Sequence, residues 1–134
     1  MSHFASVETQ ISDLELLKKA LARLEMGCES SKDNQPLRIK GWEKAFLQAE
    51  MEIKTGCSYS IGVVQRENGK YGLEADWWAI ETYTGKTQKE IIDSVKREYA
   101  YVTVLDKVST LGYSIVEEKV DSENQVKLVL RKWN

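Results

Sequence analysis

The sequence predicts an α+β protein in which a mostly antiparallel sheet of about six strands carries two helices packed on one face. Two observations lead to this fold class. Several short segments alternate apolar and polar residues, which is the period of a strand. Two other segments repeat apolar residues every three or four positions, which is the period of a helix. In chain order the segments read β-α-β-β-β-β-α-β-β, and the length of 134 residues suits a single domain over residues 1–134.

The N-terminal part of the chain predicts a strand followed by a helix. Residues 3–11 alternate in polarity, and Ser12 with Glu15 has the spacing of a capping box, which marks the start of a helix. Gly27 is the expected C-terminal cap, because glycine readily adopts the left-handed conformation that ends many helices. The polar residues 28–36 then predict a loop that could begin with a short strand. The predicted helix repeats leucine on one face, at Leu14, Leu17, Leu21 and Leu24.

The middle of the chain predicts four extended segments, at residues 37–42, 45–54, 58–65 and 71–80. The last two flank the dipeptide Asn68-Gly69. This dipeptide favours a two-residue hairpin loop, because a type I′ turn needs positive φ at both central positions. The sequence therefore predicts a tight hairpin with a fixed register.

The predicted register decides which side chains share a face of the hairpin. Neighbouring residues of a strand point to opposite faces, so the two adjacent tryptophans are predicted to separate. We place Trp77 under the helices and Trp78 on the other face. The predicted cross-strand pairs on the Trp78 face are Tyr59 with Trp78, Ile61 with Asp76, and Val63 with Glu74.

The C-terminal part predicts a long helix and a second hairpin. Thr87 and Glu90 form another capping box, and Gly112 is placed to end the helix after roughly 24 residues. The β-branched residues in 101–104 predict a bend or a break in this helix. The final hairpin is predicted to turn at residues 121–124.

The Trp78 face of the first hairpin carries more apolar area than a purely solvated face. Three interpretations stay open: packing within the fold, a surface for a partner or ligand, and a catalytic pair formed by Glu74 and Asp76. We predict a binding surface and no catalytic residue. The predicted surface consists of Tyr59, Ile61, Glu74, Asp76 and Trp78.

Composition excludes several classes of protein. The formal net charge of −2 disfavours a nucleic-acid partner, since dedicated binders usually carry a strongly basic face. No stretch reaches the roughly 18 apolar residues of a membrane helix, so no membrane partner is predicted. The N-terminus lacks the pattern of a signal peptide, which predicts a cytoplasmic protein or one made in the organelle where it works.

Motifs for metals, nucleophiles and phosphates are incomplete. His3, Cys28 and Cys57 are scattered along the chain and match no metal or redox spacing, so neither a metal site nor a cofactor is predicted, and nothing supports a Cys57–His3 dyad. The segment "TGKT" at 84–87 resembles the end of a phosphate-binding loop. The first glycine of that motif is replaced by Ile80, which disfavours a nucleotide-binding enzyme.

Five dispersed blocks resemble one known family. They are "MSHF" at the N-terminus, "YGLEADWW" at 71–78, "REYAYVTVLD" at 97–106, "LGYSIVEEKV" at 111–120 and "KLVLRKW" near the C-terminus. In these blocks the chain is similar to the hypothetical chloroplast reading frame thirty-five family, proteins of unknown function from cyanobacteria and algal plastids. The resemblance implies a soluble, stand-alone domain in a photosynthetic organism or its phage, located in the cytoplasm or in the plastid stroma. It also implies a small ferredoxin as a partner, and it supplies no catalytic residue.

Two functions from different classes are therefore predicted. The first is a non-enzymatic accessory module that binds another protein through the Trp78 face, favoured because no catalytic constellation is assembled. The alternative is a small-molecule-binding or redox-linked enzyme subunit that uses Tyr59, Asp76 and Trp78. RNA binding by the aromatic face is a third option, and the two acids on that face disfavour it. Neither the oligomeric state nor the partner's identity follows from the sequence.

Overall fold

The computed structural model describes residues 4–123 and 125–132, and within them the chain forms nine strands, three α-helices and one short 3-10 turn. The first half contains β1 (Phe4–Glu8), α1 (Leu14–Arg23), β2 (Cys28–Ser30), β3 (Leu37–Lys40), the 3-10 turn (Trp42–Lys44), β4 (Phe46–Ala49) and β5 (Met51–Ile53). The second half contains β6 (Ile61–Gln65), β7 (Tyr71–Asp76), α2 (Trp77–Thr84), α3 (Gln88–Thr110), β8 (Tyr113–Val120) and β9 (Val126–Lys132).

The strands of the described residues are arranged in three antiparallel sheets. Five strands form the main sheet in the order β1-β7-β6-β5-β2, while β3 pairs with β4 and β8 pairs with β9. The α+β class and the predicted antiparallel character are confirmed. The strands divide among three sheets instead of one, because β3–β4 and β8–β9 each form a separate hairpin.

The core lies between one face of the main sheet and helices α1 and α3. Leu17 and Leu21 of α1 are fully buried there, which confirms the predicted leucine stripe. Helix α3 adds Ile91, Ile92 and Val95 to the same cluster. The sheet contributes a matching set of buried side chains, namely Met51, Ile53, Ile61, Val63, Leu73 and Ala75.

The ends of α1 differ from the prediction. Its N-cap is Asp13 and not Ser12, since the Asp13 carboxylate accepts the backbone N–H groups of Glu15 and Leu16 at 2.9 and 3.1 Å. At the other end, Leu24 is the C-cap and Glu25 adopts a left-handed conformation with φ of 57°. The predicted cap at Gly27 is therefore wrong, because a non-glycine residue makes the left-handed turn earlier.

Residues 45–54 form two strands where one was predicted. The alternation is confirmed for Met51 and Ile53, which lie in the helix-facing core. Ala49 is also buried, but it packs against Gly62 on the other face of the main sheet, so the predicted single face does not extend to it. The strand divides at Glu50, whose carboxylate accepts the backbone N–H of Gln65 at 3.0 Å. This division lets β4 leave the main sheet and pair with β3, while β5 continues in the main sheet beside β6.

The β3–β4 hairpin covers part of the second face of the main sheet. Gly62 in β6 marks the contact, since a Cβ atom there would lie 3.0 Å from Ile39 and Ala49 and 3.1 Å from Leu47. A glycine suits this position because the two layers approach closely and a Cβ atom would push the neighbouring side chains aside. Farther along the same face, Arg66 of the β6–β7 loop pairs with Glu74.

The β6–β7 hairpin has a register one residue away from the predicted one. Val63 faces Leu73 and Gln65 faces Tyr71. Gly69 has φ of 81°, while Asn68 is not among the residues with positive φ. A single left-handed glycine is typical of a three-residue loop, so the predicted type I′ turn is wrong. Because of this one-residue shift, each residue of β6 faces a different residue of β7 from the predicted one; Val63, for example, faces Leu73 and not Glu74.

Residues 77–84 form a helix, whereas the sequence predicts an extended segment up to residue 80 and a loop after it. Asp76 is the N-cap of α2, and its carboxylate accepts the N–H of Ala79 at 3.2 Å. Gly85, with φ of 73°, ends the helix. Strand β7 therefore stops at the residue before the two tryptophans.

Helix α3 confirms the predicted cap and length but not the predicted break. The Thr87 hydroxyl accepts the N–H of Glu90 at 3.1 Å, and 23 residues follow without interruption before Gly112 with φ of 86°. The β-branched stretch stays helical because Val102 is buried and the Thr103 hydroxyl donates to a backbone carbonyl one turn earlier. Among the described residues, no helix is both long and apolar enough to cross a membrane.

The C-terminal hairpin is confirmed as β8–β9. Its ladder shifts by one residue between Ile115 and Glu117, which is a β-bulge. Val126 and Leu128 of β9 line a shallow cleft together with Val104 of α3, so one face of the hairpin lies against the long helix.

Candidate functional site

The two adjacent tryptophans separate because they occupy neighbouring positions of a helix. Successive residues of an α-helix are rotated by about 100° around its axis. Trp77 points into the core, where it is 6% exposed and its indole N–H donates to the carbonyl of Ala5 at 3.0 Å. Trp78 points outward and is 50% exposed. The predicted burial of Trp77 is confirmed, although the cause is a helix and not a strand.

Trp78 belongs to a group of four aromatic side chains, Trp42, Tyr59, Trp78 and Tyr83, which we call the aromatic surface. Trp42 meets Trp78 edge to face, with ring centroids 5.5 Å apart. Tyr59 stacks on Tyr83 with centroids 5.6 Å apart and planes inclined by 18°. Trp42 and Tyr59, 6.5 Å apart, connect the two pairs. Aromatic pairs in these arrangements contribute stabilising free energy in addition to that of the apolar area they bury.

The four rings differ in exposure. Tyr59 is buried, at 7%, and forms the floor of the aromatic surface. Trp78 and Tyr83 are exposed at 50% and 56%, so α2 presents both rings to solvent. Trp42 is half-buried between them. The surface therefore combines a fixed base with two accessible rings.

Asp76 positions this surface from beneath. It is 2% exposed, and its two carboxylate oxygens have different partners. One accepts the N–H of Ala79 and so caps α2, while the other accepts the N–H of Trp42 at 3.0 Å. Because the same carboxylate holds the helix that bears Trp78 and the turn that bears Trp42, Asp76 is a positioning residue for both rings.

Two of the predicted surface residues lie elsewhere. Ile61 is fully buried on the helix-facing side of the sheet, because the observed hairpin register turns it away from Asp76. Glu74 faces outward and pairs with Arg66 at 2.8 Å. The structure thus brings Tyr59, Asp76 and Trp78 together and separates Ile61 and Glu74 from them.

The Tyr59 hydroxyl is not set up for proton transfer near neutral pH. Burial raises the pKa of Tyr59, and the neighbouring Tyr83, Asp76 and Cys57 raise it further. The phenol therefore stays protonated at physiological pH. Within the aromatic surface its role is packing.

Two cations extend the aromatic surface along β3. The Lys40 ammonium lies 5.2 Å from the centroid of the Tyr59 ring, and the Arg38 guanidinium lies 3.9 Å above the ring of Phe46. Lys40 and Phe46 are direct cross-strand partners, so these side chains follow one another along the exposed face of the hairpin. Arg38, Lys40 and Phe46 are called the basic edge below.

The sequence prediction missed Trp42 and Tyr83. Trp42 was included in a strand, and Tyr83 fell in a segment read as a loop. A signal for the helix was present, because Asp76 and Gly85 bracket eight residues as an N-cap and a left-handed C-terminal residue would. A helix over 77–84 carries both Trp78 and Tyr83.

The remaining motifs show no assembled chemistry in the described part of the chain. The start of α3 after "TGKT" is occupied by the protein's own groups, since the Glu81 carboxylate accepts the N–H of Gln88 at 2.7 Å. Cys28 and Cys57 are free and half-buried, whereas His3 lies outside the described residues. Residues 4–123 and 125–132 contain no group of three His, Cys, Asp or Glu side chains that could hold a metal ion.

Three relatives are similar to the chain over nearly its whole length. Each bears the name "Uncharacterized protein ycf35". The protein from Cyanophora paradoxa is 32% identical over 135 residues, covering 99% of this chain and 98% of the relative. That from Guillardia theta is 32% identical over 140 residues with the same coverage, and that from Pyropia yezoensis is 27% identical over 140 residues, covering 100% and 99%.

A comparison with solved structures finds no match. The family model described as "Protein of unknown function (DUF1257)" matches residues 20–129, which include the whole aromatic surface and its basic edge. The resemblance to the hypothetical chloroplast reading frame thirty-five proteins is confirmed by the three algal relatives. The chain therefore belongs to the DUF1257 family of proteins of unknown function.

Proposed function

We propose that this chain is a non-enzymatic accessory module that binds another protein through the aromatic surface. The observation that carries the proposal is the exposure of Trp78 and Tyr83, each about half accessible although both rings contact further aromatic side chains. Tryptophan and tyrosine are enriched among the residues that dominate binding energy at protein interfaces. A ring that is already ordered loses little side-chain entropy on binding.

The way α2 is held supports the same function. Asp76 fixes the start of α2 and the backbone of Trp42, so both elements that carry the exposed rings are anchored to one buried carboxylate. The Trp77 indole adds a second anchor from α2 to β1. A preorganised surface of this kind suits recognition, since little rearrangement is needed when a partner docks.

The alternative enzymatic function is less well supported. It requires Asp76 as an acid, a base or a ligand, but both of its oxygens already accept backbone N–H groups and the side chain is buried. It also requires a reactive Tyr59, whose pKa is raised by burial. These contacts favour a structural role for Asp76 and Tyr59 beneath a binding surface.

The partner and the compartment are part of the proposal. A small ferredoxin, the partner implied by the family resemblance, is the first protein to test. The compartment is the cytoplasm of a cyanobacterium, or the plastid stroma where the gene is plastid-encoded. The algal origin of the relatives supports a photosynthetic host.

Affinity capture from the host tests the binding function. The tagged wild-type chain is compared with Trp78→Ala and Tyr83→Ala, and with Leu111→Ala as a matched control, because Leu111 is 61% exposed but lies at the end of α3. We expect a specific protein to be retained by the wild type and the control and lost with both aromatic variants. An unchanged set of captured proteins in all four samples would overturn the proposal.

Direct titration tests the ferredoxin. Isothermal titration of the purified chain with a small ferredoxin should give a dissociation constant that rises by roughly tenfold or more in Trp78→Ala, as for a buried interface anchor. The Leu111→Ala variant should bind like the wild type. A ferredoxin that binds all three proteins equally would place its contact outside the aromatic surface.

A further inference from the structure

Resting on the proposed function, we infer that the partner presents acidic side chains to Arg38 and Lys40 beside the aromatic surface. The partner is then an acidic protein segment with apolar or aromatic residues next to its carboxylates. The inference depends on the basic edge, which was not among the predicted site residues.

The basic edge continues the aromatic surface without a gap. Lys40 lies over the floor residue Tyr59, and its cross-strand partner Phe46 lies under Arg38. Phe46 is 51% exposed. A partner that covers Tyr83 and Trp78 and extends toward β3 would therefore meet both cations, each held in place by a ring.

No carboxylate among the described residues forms an ion pair with either of these two cations. Some basic side chains have acidic partners, such as Arg23 with Glu98 and Arg66 with Glu8, each at 2.8 Å. Arg38 and Lys40 are both on exposed positions of β3.

Three acids on the neighbouring elements already have partners within the protein. Asp76 accepts two backbone N–H groups, Glu74 pairs with Arg66, and Glu81 accepts the N–H of Gln88. Glu43 is exposed in the 3-10 turn, where Lys44 follows it. The basic edge therefore remains locally positive in a chain whose formal net charge is −2, which favours an acidic partner over a neutral one.

A protein segment fits this surface better than single-stranded nucleic acid. Tyr59 and Tyr83 already stack on each other, and Trp42 meets Trp78 edge to face, so the rings lack an open parallel slot for a base. Two cations also neutralise few phosphates, and the net charge of the chain is negative. Two carboxylates of a peptide are enough to pair with both cations.

The test uses three probes on the full chain. The first is a short tryptophan-free peptide of Glu, Asp, Leu and Phe, the second is the same peptide with Gln and Asn for the acids, and the third is a single-stranded oligouridylate. Binding is followed by tryptophan fluorescence, to which the half-exposed Trp78 contributes. The variant is Arg38→Gln/Lys40→Gln, and its control is Lys107→Gln/Lys127→Gln, which makes the same change in net charge on α3 and β9.

We expect the acidic peptide to bind wild type about fivefold more tightly than the neutral peptide, as for two exposed ion pairs. The preference should vanish in Arg38→Gln/Lys40→Gln, persist in the control, and shrink in about 0.5 M salt, where exposed charges are screened. Binding of the oligouridylate that is tighter than that of the acidic peptide overturns the inference in favour of nucleic acid. Failure of both peptides to bind also overturns it.

One outcome separates this inference from the proposed function. Binding to Trp78→Ala is measured by isothermal titration, because this variant lacks part of the fluorescent reporter. If both peptides bind wild type equally and neither binds Trp78→Ala, the aromatic surface binds protein but the acidic preference is wrong. If affinity capture finds no partner that depends on Trp78, the proposed function fails, and the acidic preference fails with it.

Discussion

The carboxylate of Asp76 accepts the backbone N–H of Trp42 at 3.0 Å, across 34 positions of the chain. This contact joins the end of β7 to the turn between β3 and β4. The second oxygen of the same carboxylate caps α2. Removal of the side chain should therefore affect one helix and one turn together.

We expect Asp76→Ala to lower the free energy of unfolding by about 2–4 kcal/mol. The N-cap contributes about 1 kcal/mol, and the buried N–H of Trp42, left without an acceptor, costs a further 1–3 kcal/mol. Urea denaturation followed by tryptophan fluorescence measures the change. Asp76→Asn is the control, since its amide oxygen can still accept one of the two N–H groups. Equal losses for the two variants would contradict the assigned contacts.

A side chain at Gly62 should weaken the contact between the β3–β4 hairpin and the main sheet. A Cβ atom at this position would lie 3.0 Å from Ile39 and Ala49, so Gly62→Ala should push the β3–β4 hairpin away from the main sheet. We expect a loss of about 1–3 kcal/mol in the free energy of unfolding, typical of overpacking. Urea denaturation measures it.

Gly27→Ala is the matched control for Gly62→Ala. The nearest atom to a Cβ at Gly27 is the flexible Lys54 side chain at 3.4 Å, which is ordinary contact. We expect its free energy of unfolding to change by less than about 0.5 kcal/mol. A loss at Gly27 as large as that at Gly62 would mean that close packing of the two layers does not explain the glycine.

Local periodicity was enough to predict the core. The leucine stripe of α1 and the alternation of Met51 and Ile53 follow from the periods of a helix and a strand, which any buried face must obey. The hairpin register was not predictable in the same way. An Asn-Gly pair is compatible with both a two-residue loop and a longer loop with one left-handed glycine, and packing of the flanking strands selects between them.

The candidate site was predicted only in part, for a similar reason. Trp78, Tyr59 and Asp76 were recognised as residues of one region, and they lie together. Helix α2 was missed because tryptophan favours strands, while its N-cap depends on a carboxylate that is buried by contact with the distant Trp42. The exposed Tyr83 was missed along with that helix.

The Arg66 ion pairs should make stability depend on pH in the acidic range. The Arg66 guanidinium and the Ser6 hydroxyl hold the pKa of Glu8 below its usual range. The ionised Glu8 carboxylate therefore stabilises the fold fully at a pH above its pKa in the unfolded chain. This stabilisation is lost as the pH falls through the lower pKa that Glu8 has in the folded protein. We expect the urea midpoint of wild type to fall between about pH 5 and pH 3 more steeply than that of Arg66→Gln. If the urea midpoints of the two proteins fall equally steeply with pH, the ion pair of Glu8 and Arg66 is not the cause of the acid destabilisation.

Trp77 and Trp78 allow the same substitution at adjacent positions with opposite expected results. Trp77→Phe removes the indole N–H that donates to the carbonyl of Ala5 and leaves a gap in the core. We expect it to lower the free energy of unfolding by about 1–3 kcal/mol. Trp78→Phe changes a half-exposed ring, so its effect should stay below about 0.5 kcal/mol. Urea denaturation followed by far-UV circular dichroism measures both, since fluorescence would itself change with each tryptophan removed.

In a binding measurement we expect the opposite order, with a larger effect for Trp78→Phe than for Trp77→Phe. In affinity capture, Trp78→Phe should weaken retention of the partner because the larger indole area is lost, while Trp77→Phe should retain it at temperatures where that variant stays folded. If Trp77→Phe loses the partner and Trp78→Phe does not, the exposed ring is not the contact. The burial of Trp77 and the exposure of Trp78 would then explain how α2 packs but not how the protein binds its partner.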